Sequence, residues 1–419
     1  MVGDSTPYRT QVPAPTSSDD GEKICGDLGK HQHVNLVERL AALTLGPVFG
    51  LFEPDPYKFF PELSRLGGML LFLQFVGLSA VIVFAGLYLT KYADAIADVT
   101  GLGRTLAGLV LLAAATSLPE LAVDCAAVIK QPPAPDLAVG ALVGSSLFNL
   151  LILGVLDLCH RRKERILSPA SAEHALSALA TIILTAIVIV FVVLKDLPLS
   201  WMAIGLGPTL IFCGYVLSLR LVYMDQKVGG GQGEEDSEPS PYSTTHAITG
   251  YLTATAVIFV AAAYLAPVAD EIAIVTGLGG TFVGSTFVAL TTSLPEVVTT
   301  AVAIRIGAFN MAVGNVLGSN AFNMAILFPV DICYRQGSLL QVVGTTHAIT
   351  GGAVIIITGV LCMSFFYRPK KKYWLIEPDA TLVVLLAIGA IACLYYLSPA
   401  AGFVPVDPEV VMPAAGASP

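Results

Sequence analysis

Glu120 and Glu296 each directly follow a proline, in two apolar runs that share the sequence TSLPE. A carboxylate at the centre of a lipid bilayer costs about 2.5–3.5 kcal/mol on insertion scales, so it must be paired, protonated or bound to a cation. Neither TSLPE segment has a lysine or arginine close by, since Lys130 lies almost three helical turns beyond Glu120. The two acids together carry the charge that neutralises one divalent cation. They therefore point to the binding of a metal ion or of protons.

Pro119 and Pro295 predict a break in the helix beside each glutamate. Proline has no N–H group, and its ring clashes with the carbonyl four residues earlier, here that of Ala115 or Thr291. A single proline would indicate a simple kink, but two at equivalent positions, each followed by Glu, favour unwound backbone that faces a cavity. Transporters use such backbone to coordinate cations. The carbonyl groups that could turn toward an ion are those of Ala113, Thr116, Ala289 and Thr292.

Hydroxyl and amide side chains supply further oxygen ligands. Ser145 and Asn149 are four residues apart and share one helix face, as do Ser319 and Asn323. Ca²⁺ takes about 6–8 oxygens at about 2.3–2.6 Å, and this set is large enough. Neither TSLPE segment contains His or Cys, which argues against Zn²⁺ or Cu²⁺. Taken singly, each Ser or Thr could instead bond to a carbonyl of its own helix. The TSLPE segments add the hydroxyl groups of Thr116, Ser117, Thr292 and Ser293.

The elements that position these residues are predicted to be membrane-spanning helices. The 419-residue chain is only 13% charged, against about 25% in ordinary soluble domains. Apolar runs of about 20 residues, long enough to cross a bilayer, recur along it. The net charge of −9 does not indicate nucleic-acid binding, and the seven cysteines include no CxxC pair. We predict an all-α polytopic membrane protein with ten spans, at about 68–91, 104–129, 137–158, 172–194, 199–222, 247–269, 279–304, 311–332, 345–366 and 379–398.

The chain contains an internal repeat. The pattern LGxTxxGxxxxAxxTSLPE occurs at 102–120 and 278–296, and AVGxxxGSxxFNxxILxxxD occurs at 138–157 and 312–331. Five predicted spans make one unit, and an odd number means that the second unit enters the membrane from the opposite side. This is the inverted-topology architecture of many secondary transporters. A relic of gene duplication without a transport role is the alternative, but polar residues are duplicated as well as packing residues.

The doubled motifs resemble the α-repeats of the calcium/cation antiporter superfamily, and within it the sodium/calcium exchanger branch in its prokaryotic, ten-helix form. The resemblance covers roughly residues 68–398. It implies an inverted-repeat fold and exchange of Ca²⁺ for Na⁺, or in other branches for H⁺ or with K⁺. It also implies cation ligands at twelve positions of this sequence: Glu120, Glu296, Ala113, Thr116, Ser117, Ala289, Thr292, Ser293, Ser145, Asn149, Ser319 and Asn323.

Several alternatives stay open at this stage. Some sodium/calcium exchangers carry Asp where this chain has Asn323, which leaves the Na⁺ stoichiometry open. TSLPE in both halves favours Na⁺ over H⁺ as the counter-ion, while a cation channel or a non-transporting scaffold would be different classes of protein. Asp124, four residues beyond Glu120, either lines the path for cations or lies near the interface and pairs with Lys130. Asp157 and Asp331 are expected to be solvated caps at span ends.

Charge and composition predict the topology. Lys and Arg concentrate in loops on one side, such as "RRKER" and "RPKKK", which the positive-inside rule makes cytoplasmic. Both termini then face out of the cytoplasm, in a plasma (inner) membrane. We expect a monomeric transporter, not an enzyme, with no cofactor and with Ca²⁺, Na⁺ and lipid as its partners. The predicted segments are a polar region at 1–66, the first repeat at 67–223, an acidic Gly/Pro linker at 224–245, the second repeat at 246–398 and a tail at 399–419. Residues 34–52 are expected to form an interfacial helix or a loosely structured segment; the alternative is an eleventh span, which would place the N-terminus inside.

Overall fold

The computed structural model describes residues 68–160, 166, 174–199, 204–229, 242–276, 289–366 and 380–397. The predicted interfacial helix, most of the linker and the C-terminal tail lie outside these residues. So does the beginning of the predicted span at 279–304.

The described part of the first half is built from long apolar helices. The first, α1, is 33 residues long, which gives about 50 Å at 1.5 Å per residue. That length exceeds the roughly 30 Å hydrocarbon core of a bilayer, so α1 must tilt or extend beyond it. The elements are α1 (Gly68–Thr100), α2 (Arg104–Ile129), α3 (Pro135–Cys159), α4 (Ala175–Leu194), strands β1 (Pro198–Leu199) and β2 (Ile204–Gly205), and α5 (Leu206–Gly229).

The second half repeats this arrangement in its described part. Its first helix is again unusually long, with 32 residues, as the repeat leads one to expect. The elements are α6 (Thr244–Val275), α7 (Leu294–Arg305), α8 (Phe309–Tyr334), the short α9 (Leu339–Val342), α10 (Thr346–Phe366) and α11 (Ala380–Leu397).

The helices confirm the predicted all-α membrane fold. Within the described residues, eight helices are long and apolar enough to cross a membrane, and Ala380–Tyr396 is a shorter apolar helix. Apolar side chains such as Phe72, Phe84 and Leu217 are exposed on their surfaces, where lipid would cover them. The remaining predicted span is represented by α7, which covers its second half only.

Packing between the halves is reciprocal. The long helices α1 and α6 pack against each other. The third helix of the first half, α3, packs against α10 and α11 of the second, while its counterpart α8 packs against α4 and α5 of the first. Each half thus completes the core of the other, as a two-fold relation between them requires. The most enclosed span is α8, which also contacts α2, α3 and α7.

The two prolines do not act alike. Beside Pro295 the helix is interrupted only at Ser293, because residues 289–292 are also helical. The N–H of Ser293 still donates to the carbonyl of Ala289 at 3.1 Å and the N–H of Val297 to that of Ser293 at 3.1 Å, so the interruption is a single turn residue and not an unwound segment. The predicted break at Pro119 is wrong, because Ala113–Ile129 remains α-helical through it. A lost hydrogen bond need not open a helix that neighbouring helices hold in place. The irregular part of α2 lies earlier, where Ala107–Leu112 forms a π-helical turn.

The expectation of solvated caps is wrong for Asp331. Its carboxylate is buried and accepts hydrogen bonds from the backbone N–H groups of Gly205 (2.6 Å) and Leu339 (2.5 Å). The neighbouring buried Asp196 accepts from the N–H of Gly207 at 2.9 Å. These bonds hold the β1–β2 hairpin, so α5 begins at Leu206 and not near residue 199. Asp157 is half-buried and accepts from the N–H of Ile166 at 2.9 Å.

Glycines allow α2 to approach α8 closely. A Cβ atom on Gly108 would overlap the carbonyl oxygen of Met311, and one on Gly318 would overlap that of Leu109. At Gly144, by contrast, a Cβ atom would meet nothing within 4 Å. A Cβ atom on Gly314 would likewise overlap the carbonyl oxygen of Thr105, so backbone contact between the two helices that carry Glu120 and Asn323 depends on these three glycines.

We expect Gly108→Ala and Gly318→Ala each to destabilise the protein, since overpacking a tight contact costs about 1–3 kcal/mol. The measurement is the thermal unfolding midpoint of the purified protein in detergent. Gly144→Ala is the control and should unfold at the wild-type temperature. Equal midpoints for all three variants would contradict the proposed close packing of α2 on α8.

Candidate cation site

The two glutamates lie in the interior of the bundle on helices from opposite halves. Glu120, in the middle of α2, is 3% exposed, and Glu296, in the first turn of α7, is 1% exposed. The hydroxyl of Ser117 on α2 donates to Oε1 of Glu296 at 3.2 Å. Because Ser117 lies one turn before Glu120, this bond joins the two TSLPE segments directly. The N-terminal end of α7 also favours the negative charge of Glu296.

The third helix of each half brings its polar residues to the same region. On α3, the hydroxyl of Ser145 lies 3.4 Å from that of Ser293, within the second TSLPE segment. The amide of Asn149 donates to Oδ1 of Asn320 on α8 at 3.0 Å. All four side chains are buried. Polar contacts therefore run from α7 to α3 and from α3 to α8.

The two threonines are placed differently from the serines. Thr116 donates to the carbonyl oxygens of Leu112 (3.0 Å) and Ala113 (3.3 Å), and Thr292 donates to that of Ala289 (2.9 Å). This is the bonding within one helix that each hydroxyl could adopt on its own. The carbonyls of Ala113 and Ala289 thus each accept a threonine hydroxyl. A carbonyl oxygen has a second lone pair, so neither is prevented from meeting an ion.

Several buried oxygen atoms in this region have no hydrogen-bond partner among the described residues, although leaving a buried acceptor unsatisfied costs about 1–3 kcal/mol. They belong to the two glutamates, to Asn149 on α3, and to Asn323 and Ser319 on α8. Each is an atom type that Ca²⁺ and Na⁺ accept as a ligand. The atoms are Glu120 Oε2, Glu296 Oε2, Asn149 Oδ1, Asn323 Oδ1 and Ser319 Oγ.

The composition of the site limits what it can hold. Within the described residues, no group of three or more His, Cys, Asp or Glu side chains is placed to hold a metal ion. A cation here would need the two glutamates together with hydroxyl and amide oxygens. Such a set suits a hard cation and not a transition metal.

Sequence reasoning missed two asparagines. Asn320 accepts from Asn149 and donates to the carbonyl of Ser146 at 3.1 Å, so it orients the predicted ligand Asn149. It belongs to the "GSNAFN" motif, in which the sequence pattern predicts only Ser319 and Asn323 as ligands. Asn315 donates to the hydroxyls of Thr299 (3.0 Å) and Thr300 (2.9 Å), and nothing in the repeat marks it, because the first half has Ala141 there.

Comparisons with known proteins extend over most of the chain. The family model described as sodium/calcium exchanger protein matches residues 70–221 and 246–347. The inner membrane protein YrbG of Escherichia coli is 28% identical over 337 residues, which are 78% of this chain and 97% of YrbG. The sodium/calcium exchanger MaX1 of Methanosarcina acetivorans is 27% identical over 346 residues, which are 74% of this chain and 94% of MaX1.

The solved structures give the same fold. The sodium-calcium exchanger NCX_Mj, soaked with Na⁺ and Ca²⁺, aligns with a TM-score of 0.57 and 20% sequence identity. The alignment covers 78% of this chain and 99% of that chain. At this identity the likeness establishes the helical membrane fold alone.

Adjacent serines on α3 allow a test of the site. Ser145 contacts Ser293, whereas Ser146 donates to the carbonyl of Leu142 in its own helix at 3.0 Å. We expect Ser145→Ala to weaken Ca²⁺ binding about three- to tenfold, the worth of one polar interaction of about 1 kcal/mol. Ser146→Ala should bind as the wild type does. Isothermal titration calorimetry of each purified variant with CaCl₂ measures its affinity for Ca²⁺. Equal affinities of the two variants would show that Ser145 does not contribute to the site.

Proposed function

Since this chain belongs to the sodium/calcium exchanger protein family, we propose that it exchanges Ca²⁺ for Na⁺ across the membrane by alternating access. The observation that supports this most directly is the bond between Ser117 and Glu296, which brings the acidic segments of both halves together in the buried interior.

Competition for the same charges would enforce exchange. Glu120 and Glu296 are both buried, and their carboxylates are close enough to interact electrostatically. One Ca²⁺ balances both negative charges, and so do two Na⁺ ions. When Ca²⁺ is bound, no negative charge remains at the two glutamates to bind Na⁺, and the reverse holds when two Na⁺ ions are bound. Ca²⁺ and Na⁺ therefore replace each other at the site and do not cross the membrane together. An empty site would leave two carboxylates without compensation, which makes movement of the unloaded protein unfavourable.

The long helices α1 and α6 are the elements that would move. They pack against each other, α1 also contacts α7, and α6 also contacts α2. The hydrophobic stretch of α1 is the least buried among the described spans. A pair that touches both glutamate-bearing helices yet lies at the periphery could slide across the site and expose one side at a time.

The rest of the proposal concerns orientation and assembly. Asp136, Lys195, Val343 and His347 meet at one end of the bundle, with His347 3.0 Å from Asp136 and Lys195 bonded to the carbonyl of Val343 at 2.7 Å. Following the distribution of basic loops, we assign this end to the extracytoplasmic side. The central linker would then be cytoplasmic and both termini extracytoplasmic. The site uses residues of a single chain, so we propose that a monomer transports.

We expect Glu120→Gln and Glu296→Gln each to reduce Na⁺-gradient-driven ⁴⁵Ca²⁺ uptake into proteoliposomes by about ten- to a hundredfold. Each change removes one of the two charges that bind Ca²⁺, and a lost charge-assisted contact is worth about 1.5–3 kcal/mol or more. Glu271→Gln is the matched control, because Glu271 is only partly buried on α6, outside the site. Near-normal uptake by both site variants would refute the proposal.

The counter-ion is identified by applying Na⁺, K⁺ and H⁺ gradients separately to the wild-type protein. A Na⁺ gradient alone should drive uptake. If only a pH gradient drives Ca²⁺ uptake, the exchanged ion is H⁺ and not Na⁺. If Ca²⁺ crosses the membrane without a gradient of any counter-ion, the protein is a channel.

A further inference from the structure

Asp124 is a third buried acid in the region of the two glutamates, and the proposed exchange does not use it. It is 2% exposed and lies four residues beyond Glu120 on α2. Positions 113, 117, 120 and 124 share one face of this helix because they are spaced by four, three and four residues. Ser117, on that face, bonds to Glu296, and Ala113 lies beside Gly318 of α8. The face that carries Asp124 is therefore turned toward the site and not toward lipid.

Within the part of the chain that the structure describes, no basic side chain pairs with this carboxylate. Oδ2 of Asp124 has no hydrogen-bond partner among the described residues. Lys130, the basic residue considered as its partner, is exposed beyond the end of α2 and forms no ion pair with it. Asp196 and Asp331 show what the protein does with other buried aspartates, because backbone N–H groups donate to both. Asp124 is the exception.

The equivalent position in the second half is neutral and satisfied. Thr300 takes the place of Asp124, and its hydroxyl accepts from the amide of Asn315 at 2.9 Å. In the first half Ala141 replaces Asn315, so no amide can reach Asp124 from that position. The carboxylate is thus not a copy of a packing residue that duplication left behind. It gives the first half one negative charge that the second half lacks, while the glutamates occur in both halves.

The charges of the three acids and of a bound divalent cation indicate what Asp124 would bind. The carboxylates of Glu120 and Asp124 are close enough to interact electrostatically, and Glu296 acts on Glu120 as well. A divalent cation neutralises two of these three acids and leaves one. An isolated ionised carboxylate in a buried, apolar setting is very costly, so the third acid must either carry a proton or bind one monovalent cation.

We propose that Asp124 binds one monovalent metal cation, Na⁺ or K⁺, in a position next to the Ca²⁺ site and toward the C-terminal end of α2. This inference rests on the proposed function for the identity of the divalent cation. The monovalent ion stays bound when Ca²⁺ occupies the two glutamates, because Asp124 is the acid that Ca²⁺ does not neutralise.

The test is the stabilisation of the purified full-length protein by monovalent ions. A cation that binds only the folded state raises the unfolding midpoint with its concentration. The midpoint is measured in saturating CaCl₂ while NaCl or KCl replaces choline chloride at constant ionic strength. We expect the wild-type midpoint to rise with Na⁺ or K⁺ and Asp124→Asn to lose this rise. Asp270→Asn, a change at an exposed position on α6, should keep it.

Two further readouts make the outcome decisive. A rise in the midpoint of Asp124→Asn with CaCl₂ shows that the variant is folded and retains the glutamate site. If Asp124→Asn still responds to Na⁺ or K⁺ as the wild type does, the proposal is overturned. It is also overturned if the variant changes only the dependence on pH, because Asp124 then carries a proton. Failure of Ca²⁺ to stabilise even the wild type would count against the proposed exchange, while the comparison in NaCl or KCl alone would still decide the role of Asp124.

Discussion

The structure depends on one constraint, which is that carboxylates from two halves of the chain are buried together, and no basic side chain in the described ranges pairs with them. Glu120 and Glu296 are enclosed by helices that are mostly apolar elsewhere. Such an arrangement is tolerable only where other oxygen-rich groups and a mobile positive charge complete it. The close approach of α2 and α8, the serine and asparagine contacts, and the reciprocal packing of the halves all serve to build that enclosure.

The polar network around the glutamates holds some ligands in place and leaves others free. Asn149 donates its amide to Asn320, which leaves the Asn149 carbonyl oxygen without a partner. Ser117 likewise donates to one oxygen of Glu296 and leaves the other unsatisfied. In both cases a donor is engaged within the protein while an acceptor is kept available. A cation needs acceptors and is repelled by donors, so this distribution favours the binding of a positive ion over that of an anion or a neutral polar molecule.

The fold and the location of the site could be predicted because the apolar runs recur along the sequence and the TSLPE motif occurs once in each half. Apolar runs predicted the helices, although α1 and α6 extend nine and six residues past the predicted spans and α5 begins and ends seven residues later than predicted. The duplicated TSLPE segments pointed to Glu120 and Glu296, and the bond from Ser117 to Glu296 brings these segments together. What could not be predicted depends on contacts distant in sequence. Asp331 looks like a span-end cap until the hairpin N–H of Gly205 is seen to reach it. The response to proline is also a property of the neighbourhood, since α2 continues through Pro119 while the chain turns beside Pro295.

Differences between the halves fall into two kinds with different consequences. The turn before α7 and the continuous α2 are conformations, and two halves with nearly the same motif could exchange them if the protein alternates as proposed. The pair Asp124 and Thr300 is a difference in sequence, which no conformational change can exchange. An inverted repeat with identical halves would present the same site to both sides of the membrane. One extra carboxylate on α2 breaks that equivalence, because an ion leaving toward the C-terminal end of α2 passes Asp124 and the cation proposed to bind there, whereas an ion leaving the other way meets neither.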